Sequence, residues 1–179
     1  MGKPETGKSQ VLIGAIHTAL QQECKVLLAA PVALLAQGYW AIFGSDLDCE
    51  TLHAAFHIPV DAHQTADVNY ALNRYGMVVV DEASLVSLES FNIVASTLNR
   101  RNCCPVVVIA GDKKQQQPLK TVGSRVSTTV SILNNQAFGE LNSVKHTLYQ
   151  QCRVINKDYA AFLDLLCCLQ PTQEQLDNF

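Results

Sequence analysis

The first nine residues of this 179-residue chain have the types and the spacing that phosphate binding requires. Gly2 to Ser9 match the pattern G-x-x-x-x-G-K-S. Glycines in such a loop allow backbone amides to surround a phosphate, while the lysine reaches the β- and γ-phosphates and the serine hydroxyl ligates Mg²⁺. The pattern therefore predicts a nucleotide-binding loop in which Gly2, Gly7, Lys8 and Ser9 contact the nucleotide and Ser9 also contacts the metal.

A second group of residues is an acidic pair that follows an apolar run, Val78-Val79-Val80-Asp81-Glu82. An aspartate in this position holds Mg²⁺ directly or through water, and the following glutamate polarises the water that attacks the γ-phosphate. We expect Asp81 to be a metal ligand and Glu82 to be catalytic. The alternative is a solvated acidic pair that caps the next helix.

The third group is an apolar run, Pro105 to Ala110, followed by Gly111-Asp112 and then Gln115. An amide side chain both donates to a phosphate oxygen and accepts from water. Gln115 is therefore predicted to sense the γ-phosphate, and the alternative is a polar loop without a role.

Apolar runs that favour strands alternate along the chain with helical periodicity. This alternation predicts an α/β protein with a parallel sheet, in which ligands bind at the carboxyl ends of the strands. We predict a polar turn after Gly44 and a short element over Thr51–Phe56. The predicted strands are 25–30, 77–80, 105–110 and 144–149, and the predicted helices are 9–24, 32–42, 85–99 and 158–169.

The composition limits the class of protein. The chain is 48% hydrophobic and 16% charged, which is typical of one globular domain, and its net charge of −3 argues against a large basic surface for nucleic acid while allowing a narrow groove. No apolar run is long enough to span a bilayer, so no membrane partner is expected. The seven cysteines include no C-x-x-C pair, which favours buried thiols in a reducing compartment.

The order and spacing of three segments resemble the RecD-like branch of superfamily one helicases, and in particular the petite-integration-frequency (PIF) type of 5′→3′ DNA helicase. The segments are TLHAAF at 51–56, DEAS at 81–84 and GDKKQQQPL at 111–119. The resemblance implies a RecA-like P-loop NTPase domain over residues 1–170 with helices on both faces of the sheet, followed by a polar tail over 171–179. It further implies ATP and Mg²⁺ as cofactors, single-stranded DNA as a partner and a nuclear location.

The resemblance also assigns roles to individual residues. Gln115 takes the position of the family's glutamine, and Arg153 takes that of its γ-phosphate arginine. Pro31 lies in the segment that contacts single-stranded DNA, although Val32 and Ala33 replace the family's Thr-Gly there. His53 lies in the T-x-H motif, where a role near DNA or the nucleotide and a packed core histidine are both open. GDKKQQQPL is similar to helicases of rolling-circle transposons, and the wider family implies roles in DNA repair, recombination and telomere maintenance.

Two features of the sequence predict that the isolated chain has weak ATPase activity or none, and does not unwind DNA. Helicases of this class work with two RecA-like domains, and only the first has a counterpart here, without the strand that normally precedes the phosphate loop. Glu5 also places an acid in a loop that holds anions. The rival hypothesis is a non-catalytic P-loop binding module or a decayed transposon relic. A small-molecule kinase shares the loop but is disfavoured by DEAS and GD-x-x-Q. Tyr39, Trp40 and Phe43 are predicted either to stack on bases or to pack the helix.

Overall fold

The computed structural model describes residues 6–59, 70–99, 105–112, 144 and 146–148. Helices and strands alternate along the described chain, as the sequence pattern predicts. In chain order the elements are α1 (Lys8–Gln21), β1 (Val26–Ala30), α2 (Ala33–Phe43), β2 (Asp48–Thr51), α3 (Leu52–Ala55), β3 (Met77–Val80), α4 (Leu88–Asn99) and β4 (Val106–Ile109).

The four strands form one parallel sheet in the order β2-β1-β3-β4. Strands β1 and β3 lie at its centre, and every residue of both is buried. Parallel strands that are covered on both faces require such continuous apolar sequences, here VLLAA and MVVV. The carboxyl ends of all four strands lie at one edge of the sheet, since Ala29 pairs with Val80 and Val80 with Ile109.

Alternate residues of the central strands contribute to two separate cores, one on each face of the sheet. Leu28 and Val79 belong to the core with Leu12 and Ile16 of α1, which are one helical turn apart and therefore lie on one side of that helix. The opposite core contains Val78 and is formed with α3 and α4. The prediction of an α/β fold with helices on both faces is thus confirmed.

The polar turn predicted after Gly44 is present, but one element next to it was not predicted. The polar stretch after Gly44 is a short 3₁₀ turn at Gly44–Asp46, and it is followed by the edge strand β2, which the sequence did not indicate. The residues of β2, DCET, are charged or polar and half of them are exposed, so neither apolar alternation nor β-propensity marks them. Pairing with β1 fixes their conformation instead.

The remaining predicted elements fall largely outside the described residues. This applies to most of the loop predicted over 59–66, to the helix over 158–169 and to the polar tail over 171–179. At 144–149, only residues 144 and 146–148 are described, and they form an isolated bridge at Leu148 rather than a regular strand. Within the described residues, no helix has the length and apolar character that a membrane span needs.

Candidate nucleotide site

The phosphate loop leads directly into the first helix. Gly7 precedes α1 with φ 79°, in the left-handed region that a side chain disfavours, and its carbonyl accepts from the amide of Val11 at 3.1 Å. The first turn of α1 contains no acidic residue. Because amides at a helix N-terminus attract anions, this geometry suits a bound phosphate. Gly2 and Glu5 lie outside the described residues.

Asp81 follows the last residue of β3 and is 2% exposed. Its Oδ2 accepts from the hydroxyl of Tyr39 at 2.7 Å, and its Oδ1 accepts from the amide of Glu82 at 2.8 Å. Both oxygens of the carboxylate are therefore oriented by the fold. A buried carboxylate held in this way provides a preformed oxygen ligand at the carboxyl end of the central strand.

Glu82 has a left-handed backbone conformation, with φ 48° and ψ 43°. This conformation turns the chain away from β3, and the next amide, that of Ala83, donates to the carbonyl of Ala110 beyond β4 at 2.8 Å. A non-glycine residue in this region costs about 1–2 kcal/mol, and such strain is concentrated at functional sites. The alternative that the acidic pair is a solvated cap is not supported for Asp81, which is buried.

Electrostatic interactions connect Glu82 with the phosphate loop and with β4. Burial raises the pKa of the Glu82 carboxyl, the negative charges of Asp81 and Asp112 raise it further, and the positive charge of Lys8 lowers it. Asp112 follows β4 and is 4% exposed. The fold thus brings together Lys8, Asp81 and Glu82, three of the residues predicted from the sequence.

The oxygen groups present fit a magnesium ion. Mg²⁺ prefers hard oxygen ligands and is usually bound by one or two carboxylates together with substrate phosphates and waters. Ser9 and Asp81 supply a hydroxyl and a carboxylate, and Tyr39 donates a hydrogen bond to Asp81. Within the described residues, no group of three or more His, Cys, Asp or Glu side chains is placed so that it could hold a metal ion.

Two predicted DNA contacts lie at neighbouring strand ends. Pro31 follows β1 and is partly buried, whereas His53 is exposed on α3, after the edge strand β2. Exposure argues against the alternative of a packed core histidine. Gln115 and Arg153 lie outside the described residues, so their roles stay predictions.

The sequence did not single out two residues that the structure places at the site. Tyr39 was grouped with Trp40 and Phe43, yet Tyr39 is 5% exposed and bonded to Asp81 while Trp40 is 61% exposed. The three aromatic side chains therefore do not form one exposed stacking face. Asp112 was interpreted only as part of a motif. Its signal was a carboxylate shortly after an apolar run, separated from Ala110 by Gly111, which is similar to the signal that identified Asp81.

The parallel sheet, the phosphate loop before α1 and the acidic pair after β3 define a RecA-like P-loop domain. Residues 1–147 match the family model of an AAA domain, so the chain belongs to that family. No curated protein matches the chain significantly.

Several solved helicases have the same fold. A structure of two coordinating Pif1 helicases unwinding forked double-stranded DNA is 20% identical with a TM-score of 0.74, covering 98% of this chain and 45% of that one. Pif1 from Bacteroides, in complex with ADP-AlF3 and single-stranded DNA, is 18% identical with a TM-score of 0.74, covering 98% and 43%. Pif1 from Candida albicans is 21% identical with a TM-score of 0.67, covering 99% and 42%. The chain therefore has the fold of a helicase motor domain and spans less than half the length of these relatives.

Proposed function

We propose that this chain binds ATP with Mg²⁺ and contributes the nucleotide-binding half of a Pif1-like DNA helicase motor. The observation that carries the proposal is the meeting of Lys8, Asp81 and Glu82 at the carboxyl end of the sheet. That edge is where parallel α/β sheets bind ligands. The nucleotide analogue in the Bacteroides relative supports the same assignment.

In this proposal each residue has a defined task. Lys8 and the loop amides bind the phosphates, while Ser9 and Asp81 hold the magnesium ion, which neutralises charge on the phosphate oxygens. Glu82 orients a water for attack on the γ-phosphorus and accepts its proton as the bond to the β-phosphate oxygen breaks. Because burial raises its pKa, Glu82 is a stronger base than an exposed glutamate when ionised.

Nucleotide binding is tested by calorimetry with Mg-ATP on the unsubstituted chain and on Lys8→Ala. We expect binding to the unsubstituted chain and a loss of affinity in Lys8→Ala, because that variant lacks the cation that contacts the phosphates. Lys25→Ala, which changes an exposed lysine between α1 and β1, is the matched control and should bind normally. Equal affinity of all three proteins would contradict the assignment.

Turnover is a separate measurement. We expect weak hydrolysis or none from the isolated chain, because nucleotide in this class of motor lies between two RecA-like domains. Glu82→Gln should retain binding and remove any residual turnover, since the amide cannot accept the proton. Binding without hydrolysis in the unsubstituted chain, even with DNA present, would favour the non-catalytic P-loop module.

We further propose that single-stranded DNA passes the ends of β1 and β2, where it contacts Pro31 and His53. The Bacteroides relative was solved with single-stranded DNA, which supports this partner class. Fluorescence anisotropy of a labelled oligonucleotide should show weaker binding by His53→Ala than by His17→Ala, in which an exposed histidine of α1 is changed. An equal affinity for the two variants would remove His53 from the interface.

A further inference from the structure

The hydroxyl of Tyr39 lies beside one of the residues that the proposed function assigns to magnesium. It donates to Asp81 Oδ2 at 2.7 Å, in a part of the structure where Tyr39 is 5% and Asp81 is 2% exposed. The other oxygen of the same carboxylate accepts from the amide of Glu82 at 2.8 Å. Tyr39 of α2 therefore holds a buried carboxylate that follows β3.

We propose that Tyr39 is a positioning residue that orients Asp81 for magnesium. This inference rests on the proposed nucleotide-binding function and adds a residue from α2 to it. Tyr39 does not itself contact the metal or the nucleotide in this proposal. It acts by fixing the direction of the Asp81 carboxylate, which does.

The argument for Asp81 concerns which of its oxygens remains available. The amide of Glu82 holds Oδ1 and the hydroxyl of Tyr39 holds Oδ2, so the carboxylate cannot rotate without losing one of them. Each carboxylate oxygen accepts two hydrogen bonds, so one lone pair on each stays available for a magnesium ion or its water. Groups that orient metal ligands in this way commonly contribute 10–100-fold to metal affinity.

Tyr39→Phe removes the hydroxyl and keeps the ring that packs against the sheet. The measurement is the affinity for a fluorescent ATP analogue over a titration of Mg²⁺, compared with the affinity in excess chelator. We expect the Mg²⁺ concentration for half-maximal enhancement to rise about 10–100-fold in Tyr39→Phe, while affinity in chelator stays unchanged. Trp40→Phe, at the next position of α2 but exposed, is the matched control and should behave as the unsubstituted chain.

The outcomes separate this inference from the function on which it rests. An unchanged Mg²⁺ dependence in a folded Tyr39→Phe overturns the positioning role alone, and a tighter Mg²⁺ dependence overturns it by showing that the hydroxyl competes with the ion. A failure of the unsubstituted chain to bind nucleotide in any condition overturns both. Circular dichroism verifies that each variant is folded.

A second measurement covers the case in which Tyr39→Phe does not fold. A crystal structure of the unsubstituted chain with Mg²⁺ and a non-hydrolysable ATP analogue should retain the hydrogen bond from Tyr39 to Asp81. Rotation of Tyr39 away from Asp81 in that complex would overturn the inference.

Discussion

A tyrosine donates a hydrogen bond to an aspartate at each end of the parallel sheet, and both oxygen–oxygen distances are 2.7 Å. At the carboxyl end, Tyr39 bonds to Asp81 after β3. At the amino end, Tyr75 bonds to Asp48, the first residue of β2. The two pairs have the same chemistry, so any difference between them comes from their surroundings.

At the amino end the tyrosine is buried, but the carboxylate of Asp48 is open to solvent and is also bonded to a cation. Arg74 also donates to Asp48 Oδ2 at 3.0 Å, and both of these side chains are about half exposed, at 52% and 47%. The guanidinium lies 4.8 Å from the centre of the Tyr75 ring. Water and Arg74 both solvate the carboxylate of Asp48. The hydrogen bond from Tyr75 connects β2 to the segment before β3, but the carboxylate would keep other partners without it.

The pair at the carboxyl end is buried, and its hydrogen bonds come from the fold itself. Burial and the negative charge of Asp81 raise the pKa of Tyr39; burial also raises the pKa of Tyr75, but there Arg74 opposes the effect. A carboxylate that is taken out of water is costly unless its bonds are satisfied. The comparison shows that burial of the carboxylate, rather than the type of pair, distinguishes the candidate site from the contact at the amino end.

The largest effect we predict is a difference in stability between Tyr39→Phe and Tyr75→Phe. Tyr39→Phe leaves a buried carboxylate with one donor fewer, and we expect the free energy of unfolding to fall by about 2–3 kcal/mol. Tyr75→Phe removes a bond to an aspartate that water and Arg74 continue to solvate, and we expect a loss of about 1 kcal/mol or less. Urea denaturation of the two variants measures both values. Equal losses would show that burial does not distinguish the two pairs.

A somewhat smaller loss is expected from Gly76→Ala at the amino end. A Cβ on Gly76 would lie 2.8 Å from Cys24 Sγ, so the sulfur has to move. We expect a cost of about 1–2 kcal/mol in denaturation experiments, with partial recovery in the double variant that also carries Cys24→Ala. Nucleotide affinity should not change, because this contact is at the far end of the strands from the phosphate loop.

The control for this glycine is Gly38 in α2, where an added Cβ meets nothing within 4 Å. Gly38→Ala should stabilise the chain by up to about 1 kcal/mol because glycine is unfavourable inside a helix. A loss of stability in Gly38→Ala similar to that in Gly76→Ala would show that close approach of Cys24 is not the cause. A loss of nucleotide affinity in Gly76→Ala would show that the two ends of the sheet are coupled.

The ion pair of Arg74 should contribute less still, and its contribution should depend on salt. Arg74→Gln is expected to lower stability slightly in low salt and to match the unsubstituted chain in high salt, because screening weakens exposed charge pairs. Thermal unfolding at the two salt concentrations measures this, with Lys25→Gln as an exposed control. A salt-independent loss would indicate that the contact with the Tyr75 ring is the main contribution of Arg74.

The sequence predicted the central part of the fold and much of the site, for a physical reason. Strands β1 and β3 are covered on both faces and must therefore be apolar throughout, which makes them visible in the sequence, and an acid directly after such a strand must lie at the edge where ligands bind. Lys8 and Ser9 were identified by the spacing of the glycines before them. These features depend on local sequence alone.

The features that were missed depend on contacts between distant parts of the chain. Strand β2 is held by pairing with β1, and its own residues DCET carry no strand signal. Tyr39 is 42 positions from Asp81, and an aromatic residue in a helix is more often part of a core than a partner for a carboxylate. Only the three-dimensional structure shows that this tyrosine, and not its neighbour Trp40, points at the site.

The smallest expected effect concerns Cys49, the residue after Asp48. Burial first, and then the charge of Asp48, raise the pKa of the Cys49 thiol to about 11. A raised thiol pKa favours the folded state when the group is protonated, so this stability is fully present below about pH 9, the ordinary range of a thiol, and is lost as the pH rises through 11. Near neutral pH no effect on folding is expected.

The same shift predicts slow alkylation of Cys49, because the thiolate is the reactive form. Peptide-resolved mass spectrometry after timed iodoacetamide treatment should give a rate that rises with pH to a midpoint near 11 in the native chain. In urea the midpoint should return to the range of an ordinary thiol. Asp48→Asn should lower the native midpoint only part of the way, since burial is the larger cause. A full return in that variant would mean that the charge of Asp48, and not burial, is the main cause of the raised pKa of the Cys49 thiol.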